Sequence, residues 1–366
     1  MFRPQRPDYI FISVIAVLLL FGLAVLASAT SPEGYLRFND QYFFVKKQLL
    51  LGLLPGSIIF LILSNFNYRQ LKSAARPLFY FSLLLLLLVL VPGIGTELGG
   101  ARSWFHFLGF SFQPTELAKL TLIIFLASRL AELKGDDFKD WQKSLVPFLI
   151  VLTLLAVLIL KQPDFGTLMI LILIALIMYF AAGGSILHLT GLGAAAVALA
   201  AVMILLAPYR LARLTTFLDP ASQPLGSSYQ INQAILAIGS GGFWGLGWGH
   251  SRQKFQYLPE VSADSIFAIL GEELGWVLGA VFLLLWLWLL WRSLKIAESC
   301  PDKFGRLLVA GIAVWLFGQT VVNVSSITGL LPVTGLPLPL VSHGGSGLIV
   351  SLAALGIVVN VSKRSL

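Results

Sequence analysis

The chain has 366 residues, 57% hydrophobic and only 11% charged, with 25 lysines and arginines against 17 aspartates and glutamates, a net charge of +8. A water-soluble domain carries about a quarter charged residues, and apolar surface beyond a few hundred Å² drives association. This composition therefore excludes a soluble enzyme and makes lipid the solvent for most of the chain. The single cysteine, Cys300, excludes an intrachain disulfide framework. The four histidines lack the paired spacing of a zinc site, and no GxxxxGK[ST] phosphate loop is present.

Apolar runs bounded by proline, glycine or charge predict ten membrane spans, near 9–28, 44–64, 78–95, 115–133, 144–161, 164–182, 186–206, 266–291, 307–329 and 346–361. The first could alternatively serve as a secretory signal, because Arg3 and Arg6 precede it and Ala27-Ser28-Ala29 follows. With the N-terminus in the cytoplasm, fifteen of the 25 basic residues fall in inside loops and tails, among them Arg69, Arg129, Lys134, Lys295 and Lys363. Both termini are then cytoplasmic. The polar stretch 207–265, between spans seven and eight, becomes a large outer loop. Within it, Arg210 and Arg213 lie opposite Leu211, Leu214, Phe217 and Leu218, the pattern of a short helix in the headgroup layer. A second helix is expected at SYQINQAILAIGSGG, ended by its glycines.

Ionisable residues in or beside a span are costly and mark function by default. At the start of span four, Pro114 suits the first helical turn, and Glu116 and Lys119 are three apart on one face and can pair. At the start of span six, Asp164 follows Pro163 and suits a cap. Glu97 and Arg102 fall in a solvated outer loop. The segment 245–275 runs from glycine-rich backbone through Arg252 and Lys254 to Glu260 and Asp264, just before an apolar helix. A partly desolvated carboxylate at the mouth of a cavity suits general-base work, and helix capping is the alternative for Asp264. Glu272 and Glu273 lie inside span eight and must face protein or a cavity. Three prolines and several glycines in 329–348 predict a re-entrant segment beside the site, where Ser342, His343 and the glycines after it offer donors to an anionic ligand. A simple extracellular turn is the other reading.

Five stretches in order, ARSWFHFLGFSFQPTELAK, KQPDFGT, YQINQAILAIGSGG, YLPEVSADSIFAILGEELG and LLPVTGLPLPLVSHGGSG, resemble the SEDS family (shape, elongation, division and sporulation) over nearly the whole chain. The resemblance implies one all-α, polytopic membrane domain over 1–366 that polymerises peptidoglycan from lipid II at the outer face of the bacterial cytoplasmic membrane. It maps the family's essential aspartate onto Asp264 and covers Glu116, Lys119, Asp164, Glu260, Glu272 and Glu273. Two departures touch the site: VSAD stands where many members have His-Thr-Asp, and His343 where they have Tyr. The sequence leans to the division branch.

On this reading Asp264 is the catalytic base. Arg102, Arg210, Arg213, Lys254, Glu260, Ser342 and His343 bind substrate, and Glu116, Lys119, Asp164, Glu272 and Glu273 form a structural charged cluster. A divalent cation, Mg²⁺ or Mn²⁺, could share the binding of pyrophosphate with the basic residues. The expected partners are lipid II, the growing glycan strand and a class B penicillin-binding protein, with no nucleic acid. A lipid II flippase and a non-catalytic scaffold for a transpeptidase are the alternatives.

Overall fold

The computed structural model describes residues 6–98, 101–107, 109–205, 208–218 and 228–364. Arg3 and the loop stretch 219–227 lie outside the described residues.

Ten helical runs stand at the ten predicted spans. The first is α1 (Tyr9–Phe38), whose cap Asp8 accepts from the Phe11 amide at 3.0 Å. The second is continuous over Phe43–Asn65: α2 (Phe43–Gln48), a π-helical turn at Leu49–Leu53, and α3 (Leu54–Asn65). Next come α4 (Gln70–Leu88), α5 (Pro114–Glu132), α6 (Trp141–Leu160), α7 (Phe165–Ala181) and α8 (Ile186–Leu205). The interfacial pair expected in the outer loop follows as α9 (Pro208–Leu218) and α10 (Tyr229–Gly241), and the chain ends with α11 (Ile266–Ser299), α12 (Lys303–Ile327) and α13 (Gly345–Ser362). Eight of the described helical runs are long and apolar enough to cross a membrane. At 17 residues α7 is shorter, and α5 carries Glu116, Lys119, Arg129 and Glu132.

Two boundaries differ from expectation for physical reasons. The third run starts at Gln70, because Pro77 sits inside α4 and does not begin it. The eighth is interrupted at Gly275 (φ 73°, ψ −176°). The residues after this break are by themselves long enough to span, at about 1.5 Å per residue, and Ile266–Leu274 form a separate short arm.

At the break, α11 and the glycine-rich loop before it exchange backbone hydrogen bonds. The amides of Trp276 and Val277, which in an unbroken helix would bond Glu272 and Glu273, donate instead to the carbonyls of Gly242 (2.9 Å) and Phe243 (3.2 Å). The freed carbonyls of Glu272 and Glu273 accept from the amides of Leu246 (2.9 Å) and Gly247 (3.0 Å). Only glycine fits at Gly275: a Cβ there would lie 2.3 Å from the Gly245 nitrogen.

The loop between α4 and α5 holds a small antiparallel sheet that a purely helical reading does not anticipate: β1 (Thr96–Leu98), β2 (Ala101–Phe107) and β3 (Phe110–Phe112), in that spatial order. Glu97 faces Arg102 across the first pair.

The innermost helix is α13, buried along most of its length, whereas α8 buries little of its surface. It packs closely on α3, where a Cβ on Gly356 would meet the Phe60 carbonyl at 2.7 Å, the small-residue contact that membrane helices use in place of a hydrophobic drive. One end of the bundle gathers the segments expected inside. There Arg292 pairs with Asp8 at 2.5 Å, Lys303 donates to the Leu133 carbonyl at 2.9 Å, and Lys363 donates to Asn65 at 2.8 Å. The chain crosses from there, so β2, the starts of α5 and α7, and the loop before α13 lie at the other end.

Candidate active site

At that other end opens a cavity of about 620 Å³. Its walls come from β2 (Ser103, Trp104), the first turns of α5 and α7, Arg213 of α9, Gln319 of α12, Ala263, and the non-helical stretch Thr334–Gly344. That stretch forms the re-entrant wall read from the prolines. Prolines at 332, 337 and 339 keep it from coiling, so its carbonyls need outside donors. Buried amides supply them: Asn323 Nδ2 donates to the Leu336 carbonyl at 2.7 Å, Gln319 Nε2 to Pro337 at 2.8 Å, and Gln48 Nε2 to Ser342 at 3.1 Å. From the cavity side, the Arg213 guanidinium donates to the Val333 carbonyl at 3.1 Å.

Among the described residues, four ionisable side chains line the cavity: Glu116, Asp164, Arg213 and His343. Glu116 pairs with the fully buried Lys119 at 2.8 Å, the partnership expected from their spacing. Lys119 also donates to Gln319 Oε1 at 2.7 Å and lies 5.1 Å from the Trp315 ring centroid, so its charge is satisfied on three sides. Asp164 caps α7 by accepting from the Thr167 amide at 2.9 Å. Burial raises its pKa above the usual carboxylate range against the pull of that bond and of Lys119.

Asp264 is 6% exposed and stands one residue behind the cavity wall at Ala263. The capping reading does not describe it. Ser265 holds the cap position of α11, no side chain bonds the first helical amides, and the Asp264 carboxylate accepts from Gln230 Nε2 at 3.1 Å and Ser265 Oγ at 3.4 Å. Its backbone carbonyl is held by Asn323 Nδ2 at 2.8 Å. Burial first, and the nearby Glu260 charge second, push the carboxyl up to about 6, where it takes and releases a proton near neutrality.

Several expected substrate contacts have other partners in the structure. Lys254 is buried away from the cavity, donating to Glu273 at 2.8 Å, to the Gly249 carbonyl at 2.8 Å and to Ser28 Oγ at 3.2 Å. It therefore has no free valence for pyrophosphate. The expected single charged cluster is two clusters. Glu116, Lys119 and Asp164 stand at the cavity, whereas Glu272 and Glu273 bind the outer loop to the short arm of α11. Glu272 accepts from the amides of Arg252 (2.9 Å) and Gln253 (3.3 Å), and Glu273 accepts from Ser28 Oγ and Lys254.

Arg102 pairs with Glu97 at 3.4 Å on the sheet and is not among the cavity walls, although its neighbours Ser103 and Trp104 are. Ser342 lines the cavity, but its hydroxyl is engaged, accepting from the Leu338 amide at 2.8 Å and donating to the Ala263 carbonyl. His343 also lines the cavity, edge-on to Phe44 (5.2 Å), with a buried Nδ1 that has no hydrogen-bond partner among the described residues. Glu260 is exposed, in left-handed backbone (φ 52°), and reaches the site through its charge on Asp264. The Arg210 side chain lies outside what is described. Among the described residues no group of three His, Cys, Asp or Glu side chains could hold a metal. Glu260 and Asp264 alone do not make a cation cage.

The amides Gln230, Gln319, Asn323 and Gln48 are the site residues that sequence reasoning passed over. Gln319 and Asn323 left a readable signal, since two amides four apart in an otherwise apolar span share one face and need buried partners.

The fold and site define a multi-pass membrane protein with a polar cavity at one end of a helical bundle. The family model described as "Cell cycle protein", covering FtsW, RodA and SpoVE, matches residues 8–366, and the chain belongs to this family. It is 40% identical to "Stage V sporulation protein E" of Bacillus subtilis (strain 168) over 99% of both chains. It is 39% identical to the "Probable peptidoglycan glycosyltransferase FtsW" of Geobacter sp. (strain M18), over 99% of this chain and 98% of that one. Among solved structures, a chain in "Structural coordination of polymerization and crosslinking by a peptidoglycan synthase complex" superposes with a TM-score of 0.81 at 33% identity, covering 97% of each chain. The rod shape determining protein RodA of Thermus thermophilus superposes with a TM-score of 0.71 at 29% identity, covering 98% of this chain and 97% of that one.

Proposed function

We propose that this protein is a peptidoglycan glycosyltransferase that polymerises lipid II on the outer face of the cytoplasmic membrane, with both termini in the cytoplasm. The observation that carries the reading is the buried Asp264 carboxyl, pushed up to about 6 and free of the capping role, beside a cavity lined by one cation, Arg213, among the described residues. In the reaction, Asp264 takes the proton of the acceptor sugar hydroxyl as its oxygen bonds the anomeric carbon of the donor. The bond to undecaprenyl pyrophosphate breaks on the opposite side, with inversion. Arg213 stabilises the departing pyrophosphate as guanidinium groups do. Glu116, Lys119 and Asp164 keep the cavity open by holding the starts of α5 and α7, and touch no reacting atom in this scheme.

The relatives named for peptidoglycan synthesis support the substrate class. They also support a membrane partner that crosslinks the strands, a class B penicillin-binding protein. Purified protein incubated with lipid II, alone and with that transpeptidase, is the test. Glycan strands resolved on a gel are the expected product. Folded protein that makes no strand in either condition overturns the proposal.

A further inference from the structure

At the end of the bundle away from the cavity, α4, α5 and α6 enclose a groove of about 340 Å³. Its charged lining residues are Arg76, Arg129 and Lys143, and among the described residues no acidic side chain lines it. The three come from the beginning of α4, the end of α5 and the beginning of α6, so they form one basic rim at one level of the bundle. Below the rim the walls are apolar, with Phe125, Phe148 and Val151 at the back. Tyr80 and Ile150, 61% and 62% exposed, lead out sideways to the lipid-facing surface.

The rim cations are only loosely held. Arg76 has no ion pair among the described residues. Arg129 meets Glu132 at 3.5 Å, and Glu132 also meets Lys72 at 3.7 Å. Lys143 meets Asp140 at 3.7 Å and Asp137 at 3.8 Å. These pairs are long and solvent-exposed, so they are screened and weak.

We propose that this groove binds an anionic phospholipid, with its phosphate between the two arginines and Lys143 and an acyl chain along Tyr80 and Ile150. The assignment to the inner leaflet rests on the orientation proposed above; the binding itself does not. Two features select a lipid over a soluble anion. The charge complements a headgroup phosphate, and the lining below the rim is mostly apolar and includes Tyr80 and Ile150 on the hydrocarbon-facing surface, which a free phosphate would leave uncovered. Basic pockets between membrane helices on the cytoplasmic side recognise acidic headgroups in this way.

The test uses the purified full-length protein, delipidated in neutral detergent, with phosphatidylglycerol, phosphatidylcholine of the same chains, or inorganic phosphate added. Native mass spectrometry counts bound lipid, and thermal unfolding reports protection. Phosphatidylglycerol is expected to bind and raise the melting temperature, and the other two are not. Arg76→Gln, which orphans no acid, should weaken phosphatidylglycerol binding about fivefold, and adding Arg129→Gln should weaken it about fivefold again. Lys139→Gln removes the same charge from an exposed pair outside the groove and should change nothing.

Equal binding of the two lipids, equal protection by phosphate alone, or equal losses in Arg76→Gln and Lys139→Gln would each overturn the proposal. Because the readout is binding, it stands or falls independently of strand synthesis.

Discussion

The starts of α7 and α11 present the same sequence signal, an aspartate entering an apolar helix, and the structure makes opposite use of it. Asp164 turns its carboxylate onto the Thr167 amide of its own helix. Asp264 turns away from its helix, toward Gln230 on α10. Both carboxyls are raised by burial, so the difference lies in what the charge does. A carboxylate bonded to the amides of its own helix terminus is a structural part, and one that makes no such cap keeps lone pairs for a proton. The deciding residues are Ser265, which holds the cap position of α11, and Gln230, which lies 34 residues before Asp264 and reaches it through the fold.

Asp264→Asn gives the sharpest separation of the two starts. It should slow strand synthesis by roughly 10² to 10⁴, while the protein remains folded. The wild-type rate should fall as pH drops through about 6, where the carboxyl takes up its proton. Stability should move the other way. A carboxyl with a raised folded-state pKa binds its proton more tightly in the folded protein, so wild-type stability falls as pH rises from the unfolded value of about 4 to about 6. Above that window Asp264→Asn should melt higher than wild type, by on the order of 2 kcal/mol, and below it the two should converge. A folded Asp264→Asn protein that makes strands at the wild-type rate would leave the two starts functionally alike and turn attention to Glu260.

The anchoring of the α11 arm comes next in size. Lys254→Ala leaves the Glu273 carboxylate buried without its cation and should cost about 3–5 kcal/mol, read as a lower melting temperature in detergent. Lys119→Ala should have a comparable effect at the cavity. In a double-mutant cycle with Glu116→Gln the two losses should fail to add, and strict additivity would dissolve the pair.

At the start of α7, Asp164→Ala should cost about 1 kcal/mol and Asp164→Asn little, because Asn caps nearly as well. A loss of strand synthesis in folded Asp164→Asn would break the contrast. The smallest effect belongs to Gln230→Met. Removing the hydrogen bond that holds the Asp264 carboxyl down should move the acid limb of the pH–rate profile upward and leave the high-pH rate intact. An unmoved limb would mean that Gln230 does not touch the base during turnover.

Much of this was legible because charge in a membrane protein is scarce. Ten apolar runs became ten helical runs, Glu116 and Lys119 paired as three-apart residues on a helix do, and the outer loop held its two short helices. The long-range partnerships were hidden. Lys254 reads as a loop cation available to pyrophosphate, and only the fold brings Glu273 and Ser28 to it. Buried glutamines and asparagines carry no formal charge, so they stood out less than carboxylates although they hold three carbonyls of the re-entrant wall. The sheet at Thr96–Phe112 did leave a trace, since Gly99-Gly100 and Gly109 punctuate short aromatic stretches, a hairpin signal masked by the expectation of helices alone.

The exchange of backbone bonds at Gly275 makes the glycine loop and the α11 arm one mechanical unit. Leu246 and Gly247 occupy the donor positions that Trp276 and Val277 would have filled, so the loop cannot swing out as a lid without stripping two carbonyls of the helix. Phe243 and Trp244, both largely exposed, belong to this same unit, and the other end of its helical arm, Ile266, lies two residues from Asp264.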